Sequence, residues 1–264
     1  MRERWSGPPR MLVLDVDGTL LGPGREITAR VRASLTRAHE AGCRVVLATG
    51  RAPFEVAILF AETGLPETTA VCSNGAVVAA MPDGEILSSH TFNARPVLRA
   101  LLRRVPTARV AVEVPDVGYF VTQEFPRDEM LGSQTVCDLE TVLAEPVTRV
   151  VVRDPNGSAA DFHALTKSFR IRGASYAVGF LAWLDLGPRG VSKASTLARV
   201  AASAGVDPAE VLAIGDGHND LEMLAWAGRG VAMGHAPREV QEIADAVTGS
   251  FAQDGVAEEV EKWF

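Results

Sequence analysis

The sequence predicts an α/β protein in which a doubly wound parallel sheet is interrupted by an inserted α+β unit. Three observations lead to this prediction. Short apolar runs alternate with amphipathic helical segments in both terminal parts of the chain, as in the βαβ units of parallel sheets. The middle of the chain instead mixes strand-like alternating stretches with helices. Segments that contain Pro and Gly separate the middle from both terminal parts, as linkers between structural units commonly do.

The amino-terminal part, residues 11–82, alternates strands and helices. Thr28 is a suitable N-cap for the first helix, and Gly42 is a suitable stop at its end. A second helix is expected to begin at Pro53 and to end at Gly64. The predicted strands are 11–14, 44–49 and 70–72. This order is typical of a Rossmann-like core, with parallel strands and helices on both faces.

From residue 83 the pattern changes, and it indicates a separate α+β unit. The segments 81–84 and 187–190, both containing Pro and Gly, lie at its two ends. Its predicted elements are a strand-like stretch 85–92, a helix 95–104, strands 109–114 and 148–153, a helix 159–170 and strands 175–180 and 182–186.

Beyond residue 187 the first pattern returns. The predicted elements are a helix 192–204, a strand 211–214, a helix 221–227, a strand 230–233 and a helix from Pro237. We therefore expect a discontinuous core formed by 11–82 and 188–264, an inserted domain at 83–187, and a flexible tail at 1–10.

The composition is that of an ordinary globular chain. Its 264 residues correspond to one or two domains at roughly 150 residues each, and 47% of them are hydrophobic. The 26 basic and 33 acidic residues give a net charge of −7 without a basic block, so nucleic acid is not an expected partner. No apolar run approaches the ~20 residues of a membrane span, and the start of the chain is too polar for a signal peptide. We therefore expect a cytoplasmic protein without membrane contact.

Polar residues follow three of the predicted core strands. Asp15 and Asp17 follow the first strand, and Thr49 follows the second. Asp216 and Asp220 follow the first strand after the insertion. Because ligands of open parallel sheets bind at the carboxyl ends of the strands, we expect these residues to converge. Four converging carboxylates repel one another unless a cation lies among them, and a ligand set of oxygens alone favours Mg²⁺.

The chemistry of these residue types indicates phosphoryl transfer. An aspartate nucleophile suits phosphorus, because an acyl phosphate forms and is then hydrolysed, so Asp15 is expected to attack and Asp17 to handle protons. Gly18 lets backbone amides approach the phosphoryl oxygens, and Thr49 can donate to them. Lys193, near the start of a predicted helix, is a candidate to neutralise the nucleophile and the transferring group.

Four segments resemble, in order, the four motifs of the haloacid dehalogenase (HAD) superfamily of phosphohydrolases. They are Asp-Val-Asp-Gly-Thr-Leu-Leu at 15–21, Thr-Gly-Arg at 49–51, Lys193, and Gly-Asp-Gly-His-Asn-Asp at 215–220. The position of the insertion, together with the segments 73–76, 231–234 and 254–257, is similar to the Cof-like subgroup. The resemblance covers the predicted core, and it implies that the inserted domain is a cap over the phosphate crevice.

The resemblance implies a role for each matching residue. The catalytic residues are Asp15 as nucleophile, Asp17 as general acid and base, and Thr49 and Lys193 as phosphate binders. The substrate-binding residues are Gly18, Thr19, Gly50, Arg51 and Asn219, and Asn219 and Asp220 also support Lys193 and the metal waters. The Mg²⁺ residues are Asp15, Asp17 through its carbonyl, Asp216, and Asp220 through the metal waters. Two residues, His235 and Phe251, stand where the subgroup usually has Asn.

The predicted function is Mg²⁺-dependent hydrolysis of a small-molecule phosphomonoester, of a sugar, polyol or cofactor, through an aspartyl phosphate. Two alternatives stay open at this point. One is a phosphosugar mutase on the same core, and the other is a regulatory protein that is phosphorylated without turnover. Asp17 argues against the regulatory protein, because an acid/base group beside an acyl phosphate shortens its lifetime. A dehalogenase is disfavoured, because displacement of a halide needs neither a metal nor a proton donor.

Overall fold

The computed structural model describes residues 7–22, 26–63, 65–115, 117–126, 129–168, 174–178 and 182–264, without the side chains of 61–63 and 168. The strands of these residues are β1 (Met11–Leu14), β2 (Arg44–Ala48), β3 (Thr68–Cys72), β4 (Val77–Met81), β5 (Glu85–Ser89), β6 (Arg109–Val114), β7 (Gly118–Val121), β8 (Gln134–Val136), β9 (Val150–Arg153), β10 (Ala174–Val178), β11 (Trp183–Pro188), β12 (Val211–Gly215), β13 (Arg229–Ala232) and β14 (Ala246–Val247). Their helices are α1 (Ala29–Glu40), α2 (Pro53–Thr63), α3 (Arg95–Leu102), α4 (Leu139–Val142), α5 (Ala159–Ser168), α6 (Lys193–Ser203), α7 (Leu221–Trp226), α8 (Arg238–Ile243) and α9 (Gly255–Val260).

Some predicted features lie outside the described residues. They are the helix stop at Gly64, the end of the helix 159–170, the end of the strand 175–180 and the first six residues of the tail. Among the helices that are described, none is both long enough and apolar enough to cross a membrane.

The first sheet has eight strands in the order β14-β13-β12-β1-β2-β3-β4-β5. From β14 to β3 all neighbouring strands are parallel, whereas β4 and β5 are added antiparallel. In the middle of the sheet, Met11 of β1 is in register with Val211 of β12 on one side and Arg44 of β2 on the other. The strand order runs outward from β1 in both directions, which confirms the predicted doubly wound α/β fold.

Helices cover both faces of this sheet. Residues of α1, α2 and α9 pack on one face, and residues of α6, α7 and α8 pack on the other. Successive side chains of a strand point to opposite faces, so Leu12 and Leu14 belong to the first layer while Met11 and Val13 belong to the second. All four residues are fully buried. This double burial explains why the strand is a continuous apolar run in the sequence.

The boundaries of α1 agree with its predicted caps. The hydroxyl of Thr28 accepts a hydrogen bond from the amide of Val31 at 3.2 Å, which satisfies one of the free amides of the first turn. Gly42 follows the helix with a φ of +85°, a conformation that other residues adopt at a steric cost.

The boundary of the first sheet differs from the sequence-based prediction. The prediction assigned 85–92 to the inserted unit, but β5 pairs antiparallel with β4 and extends the first sheet. The physical reason is the turn that joins the two strands, where the amide of Gly84 donates to the carbonyl of Ala80 at 2.8 Å. Gly84 has a φ of +75°, so this turn suits glycine. The hairpin therefore belongs to the first sheet.

The second sheet has six strands in the order β10-β11-β9-β6-β7-β8. Helices α3 and α5 contribute Leu98 and Phe162 to a core on one face of it. On the other face, Tyr119 of β7 and Val151 of β9 pack with Ala52, which immediately precedes α2 of the first sheet's helix layer. The second sheet therefore packs against the amino-terminal end of α2. Strands β7 and β8 were not predicted from the sequence.

The carboxyl-terminal helix is tied to the first sheet by one buried carboxylate. Glu259 of α9 is fully buried and accepts from Arg229 Nε at 2.6 Å and from Lys262 Nζ at 2.7 Å. Trp263 Nε1 donates to the same carboxylate at 3.3 Å. Burial opposes the charge of Glu259, but the hydrogen bonds from Arg229 and Lys262 outweigh it and lower the pKa of the carboxyl group.

Substitution of Glu259 by Gln is expected to lower the free energy of unfolding by about 1–3 kcal/mol, because hydrogen bonds to a charged group are lost. The folded-state pKa of Glu259 lies below its unfolded value. Its contribution is therefore present above the unfolded pKa of ~4.3, and it is lost as the pH falls through the folded pKa. Urea unfolding of wild type and Glu259→Gln at pH 7 and pH 4 measures both effects.

The matched control is Glu242→Gln, because Glu242 is exposed and pairs with Arg238 on the surface of α8. Its effect on unfolding is expected to stay within about 0.5 kcal/mol. Equal effects of the two substitutions would contradict the structural role of Glu259.

Candidate active site

Three parallel strands of the first sheet deliver polar residues to one edge. Asp15 follows β1, Thr49 follows β2 and Asp216 follows β12, and these three strands are neighbours. Because the strands are parallel, their carboxyl ends lie at the same edge. All three residues are buried. The convergence that was predicted for these strand ends is thus the arrangement in the structure.

A buried lysine lies among the carboxylates. Lys193 is 1% exposed, and its Nζ donates to Asp15 Oδ1 at 2.6 Å and to Asp220 Oδ1 at 2.7 Å. Burial opposes the charge of the ammonium group, but the two carboxylates raise the pKa of Lys193 above its usual value. The lysine is therefore cationic at neutral pH and fixed against Asp15.

The position of Lys193 is set by the start of α6. Ser192 is the N-cap, and it exchanges hydrogen bonds with Ser195 in a capping box. The first turn of α6 packs against the turn after β3, and the hydroxyl of Thr196 donates to the carbonyl of Gly75 at 2.8 Å. A Cβ atom at Gly75 would collide with the carbonyl of Ser192, and Gly75 has a φ of +103°. Only glycine allows this approach without strain.

Asp220 acts within the protein through both of its carboxylate oxygens. Its Oδ1 accepts from Lys193, and its Oδ2 accepts from the amides of Asp216 at 3.0 Å and Gly217 at 2.9 Å. These contacts fold the loop after β12 and orient Lys193. They favour a positioning role for Asp220 over direct contact with a metal.

The loop after β1 contacts the side chain of Asp216. The hydroxyl of Thr19 donates to Asp216 Oδ1 at 3.2 Å. Gly18 has a φ of +87°, and a Cβ atom at this position would collide with the carboxylate of Asp216. Gly18 and Thr19, which were predicted to bind substrate, thus contact the carboxylate of Asp216 and orient it.

The residues at this edge fit a divalent cation. Carboxylate oxygens of Asp15 and Asp216 lie within 4.8 Å of each other and of the positioning residue Asp220. Burial raises the pKa values of Asp15 and Asp216, and the nearby charge of Asp220 raises them further. For Asp15, the charge of Lys193 opposes this rise in pKa. Carboxylates that are crowded in this way need more positive charge than one lysine supplies. Hard oxygen ligands of this kind match Mg²⁺.

Asp17 lies at the open side of the site. Its side chain is 47% exposed, and Arg51 holds both of its oxygens, with Nε at 2.7 Å and Nη2 at 2.6 Å. A bidentate pair of this kind fixes the direction of the carboxylate. Asp17 is therefore directed by Arg51 and accessible to solvent.

The loop after β2 is joined to a turn that the sequence analysis did not assign to the site. Thr49 accepts the amide of Arg51 on its hydroxyl at 3.1 Å and the amide of Asn74 on its carbonyl at 3.0 Å. Asn74 also accepts from Asn219 Nδ2 at 3.0 Å, and its φ of +52° is in the left-handed region. Gly50 lies against the amide group of Asn74. Asn74 thus connects the loops after β2 and β12.

The two departures from the subgroup's pattern contact each other. The amide of Phe251 donates to His235 Nδ1 at 3.3 Å, and the ring of Phe251 packs against Gly22. His235 Nε2 lies 3.7 Å from Asp216 Oδ2. His235 therefore lies between the main chain at Phe251 and the carboxylate of Asp216.

A cavity of about 330 Å³ opens between the carboxylate site and the second sheet. Lys193 and Asn219 lie in its wall on the side of the first sheet, and Arg149 and Asp185 lie in its wall on the side of the second. Neither Arg149 nor Asp185 was predicted from the sequence to belong to the site. The sequence did contain a sign of each residue. Arg149 is a single charge directly before the apolar run 150–152, and Asp185 is a single charge within the apolar segment 183–186.

Comparison with known proteins gives the family. A model of the haloacid dehalogenase-like hydrolases matches residues 12–260. The 5-amino-6-(5-phospho-D-ribitylamino)uracil phosphatase YitU of Bacillus subtilis is 29% identical, over 97% of this chain and 98% of its own length. A phosphoglycolate phosphatase of Natronomonas pharaonis is 32% identical, over 95% of this chain and 96% of its own length.

A solved structure agrees with these relatives. The structure of a phosphatase of the haloalkanoate (HAD) enzyme superfamily from Bacteroides thetaiotaomicron is 27% identical and covers 98% of this chain, with a TM-score of 0.80. The chain in turn covers 96% of that structure. The similarity therefore includes the second sheet as well as the first. Because the family model and the relatives extend over nearly the whole length, the chain belongs to the haloacid dehalogenase-like hydrolases, as its motifs predict.

Proposed function

We propose that this hydrolase cleaves small-molecule phosphomonoesters through an aspartyl phosphate on Asp15. The observation that carries the proposal is the contact of Lys193 Nζ with Asp15 Oδ1 at 2.6 Å, in a buried site at the ends of parallel strands. A fixed cation orients the attacking carboxylate and offsets the negative charge of the phosphoryl group. The phosphatase names of the relatives agree with this chemistry.

The proposed reaction has two displacements at phosphorus. An oxygen of Asp15 forms a bond to phosphorus, and the bond from phosphorus to the ester oxygen breaks, so the leaving group departs with the electron pair. The protonated form of Asp17, in which one oxygen has left Arg51 and carries the proton, gives that proton to the leaving oxygen. In the second step Asp17 takes a proton from water, the water oxygen bonds to phosphorus, and the bond to Asp15 breaks. Inorganic phosphate is released and both carboxyl groups return to their first states.

Other residues of the site bind and orient. Thr49 and the loop 49–51 are proposed to donate to the phosphoryl oxygens, and Arg51 directs the carboxylate of Asp17. Gly18 and Thr19 support Asp216, and Asn219 extends the site toward the cavity through its contact with Asn74.

Mg²⁺ is the proposed cofactor. Asp15, Asp216 and the main-chain carbonyl of Asp17 would hold it, and Asp220 would support the arrangement through Lys193 and its backbone contacts. When bound, the ion supplies positive charge to the transferring phosphoryl group.

The second sheet is proposed to act as the cap. Together with the first sheet it lines the cavity beside Lys193, so the organic part of the ester would lie between the two sheets. Exclusion of bulk water from this space strengthens the electrostatic interactions of the site.

Asp15→Asn is expected to reduce kcat for phosphate release by at least about 10³-fold, because the amide keeps the shape of the side chain but cannot form the acyl phosphate. Initial rates with 4-nitrophenyl phosphate in Mg²⁺ buffer measure the loss. Asp138→Asn is the control, because Asp138 is an exposed N-cap of α4 and Asn caps equally well. Full activity of Asp15→Asn would exclude Asp15 as nucleophile.

Asp17→Asn is expected to slow hydrolysis of alkyl phosphates by about 10²- to 10⁴-fold, because the leaving alkoxide loses its proton donor. The loss with 4-nitrophenyl phosphate should be at least tenfold smaller, since nitrophenolate leaves without protonation. The comparison of kcat for the two ester types is the measurement. Equal losses would indicate that Asp17 only positions other groups.

Excess EDTA is expected to abolish phosphate release, and Ca²⁺ is expected to inhibit it, because Ca²⁺ takes more ligands at longer distances than Mg²⁺. Binding of Mg²⁺ to the folded state should also raise Tm. Asp216→Asn should remove this shift of Tm, whereas Asp138→Asn should retain it. An unchanged shift in Asp216→Asn would contradict the proposed metal site.

A further inference from the structure

The chemistry of the cavity beside Lys193 bears on the kind of ester that fits. The charged residues on its described lining are Arg149, Asp185, Lys193 and Glu222. The charge of Lys193 is matched by the carboxylates of the phosphoryl site. Of the remaining three, Arg149 and Asp185 form the wall on the side of the second sheet, and Glu222 adds a carboxylate on the side of the first.

Asp185 lines the cavity, and one of its carboxylate oxygens has spare hydrogen-bonding capacity. Its Oδ1 accepts from Arg149 Nε at 2.8 Å and from Trp183 Nε1 at 3.2 Å. Its Oδ2 has a single long contact in the described part of the chain, from Asn74 Nδ2 at 3.4 Å. A carboxylate has about four acceptor positions, so Oδ2 has capacity for a donor from a ligand.

The positive charge of Arg149 is already balanced by the protein. The residue is buried, its Nε is paired with Asp185, and its Nη1 lies 3.3 Å from the hydroxyl of Tyr119 and 4.0 Å from Glu55 Oε2. Glu55 is itself buried and accepts from the same hydroxyl at 2.9 Å. Arg149 is therefore a hydrogen-bond donor in this wall but adds little attraction for an anion.

Asn74 connects this wall to the phosphoryl site. It contacts Asp185 on one side and Asn219 on the other, and its amide donates to Thr49. A ligand with its phosphate near Thr49 and Lys193 would thus place its organic part along Asn74 toward Asp185.

On the basis of the proposed phosphatase function, we propose that the leaving group is an uncharged polyhydroxylated chain or ring whose hydroxyls bind Asp185 and Arg149. A hydroxyl both donates and accepts, so it can give a hydrogen bond to Asp185 Oδ2 and receive one from the guanidinium group. A carboxylate or second phosphate on the leaving group offers no donor to Asp185. It is also repelled by the wall, because Arg149 is shared between Asp185 and Glu55, and Glu222 adds a further carboxylate to the lining. Asp185 is the specificity-determining residue of this arrangement.

Matched pairs of esters test the proposal in the full chain with Mg²⁺. Sorbitol 6-phosphate and 6-phosphogluconate differ at the far end, where a hydroxymethyl group is replaced by a carboxylate. Glycerol 3-phosphate and 3-phosphoglycerate differ in the same way, and propyl phosphate lacks the hydroxyls altogether. The hydroxylated uncharged ester of each pair is expected to have the larger kcat/KM, by at least about tenfold, and propyl phosphate is expected to fall below glycerol 3-phosphate.

Asp185→Asn distinguishes recognition from a structural role. Loss of the charge should lower the ratio of kcat/KM for sorbitol 6-phosphate over 6-phosphogluconate by about tenfold, because repulsion of the carboxylate is relieved and a charge-assisted hydrogen bond is lost. A purely structural effect would lower both values and leave the ratio unchanged. The control Asp138→Asn should keep the wild-type ratio. If Asp185→Asn does not fold, the comparison of ester pairs in the wild type decides the proposal.

The outcomes separate this proposal from the proposed function. Phosphate release from 4-nitrophenyl phosphate, together with equal or faster turnover of the anionic esters, would overturn the polyhydroxylated leaving group and leave the phosphatase intact. An unchanged ratio in folded Asp185→Asn would overturn the role of Asp185. Absence of phosphate release from every ester, 4-nitrophenyl phosphate included, would instead overturn the proposed function, and this proposal with it.

Discussion

The buried ammonium group of Lys193 is the constraint on which the site depends. A charge removed from water is tolerated only when partners surround it, and breaking such a pair leaves an uncompensated charge. Here the partners come from distant parts of the chain, Asp15 after β1 and Asp220 after β12. The two loops must therefore meet at the start of α6. Glycine at residue 75 and the side chain of Thr196 hold that start in place.

A second set of buried polar groups joins the two sheets. Glu55 of α2 accepts from the hydroxyl of Tyr119 and from the amide of Leu131, at 2.9 and 3.0 Å. Glu113 of β6 accepts from Ser73 Oγ at 2.6 Å, and its burial raises its pKa. Ser73 is adjacent to Asn74, so the same turn contacts the second sheet and the loops after β2 and β12. The cavity wall is therefore built by polar contacts between the sheets as well as by apolar packing.

The sequence predicted five parallel strands of the first sheet, β1, β2, β3, β12 and β13, and the polar residues at their ends, because both obey local rules. Apolar runs followed by Asp15, Thr49 and Asp216 are visible without tertiary information, and parallel pairing then brings them together. Contacts that depend on the packing of two units were not visible. The isolated charges of Arg149 and Asp185 belong to the second sheet, and their partners are distant in sequence. The pairing of β5 with β4 was missed because 77–81 was not predicted as a strand, and the turn at 81–84 was interpreted as a linker between two units.

The route of the chain through the two sheets has a consequence for its synthesis. The strands of the second sheet are contiguous, so they can pair as soon as β11 has left the ribosome. β1 is made near the start, but the partner for one of its edges, β12, is made only at residues 211–215. At roughly 5–20 residues per second, that apolar edge waits about 10–40 s. The nascent chain therefore carries an open strand edge, prone to pairing with other chains, until its last quarter is translated.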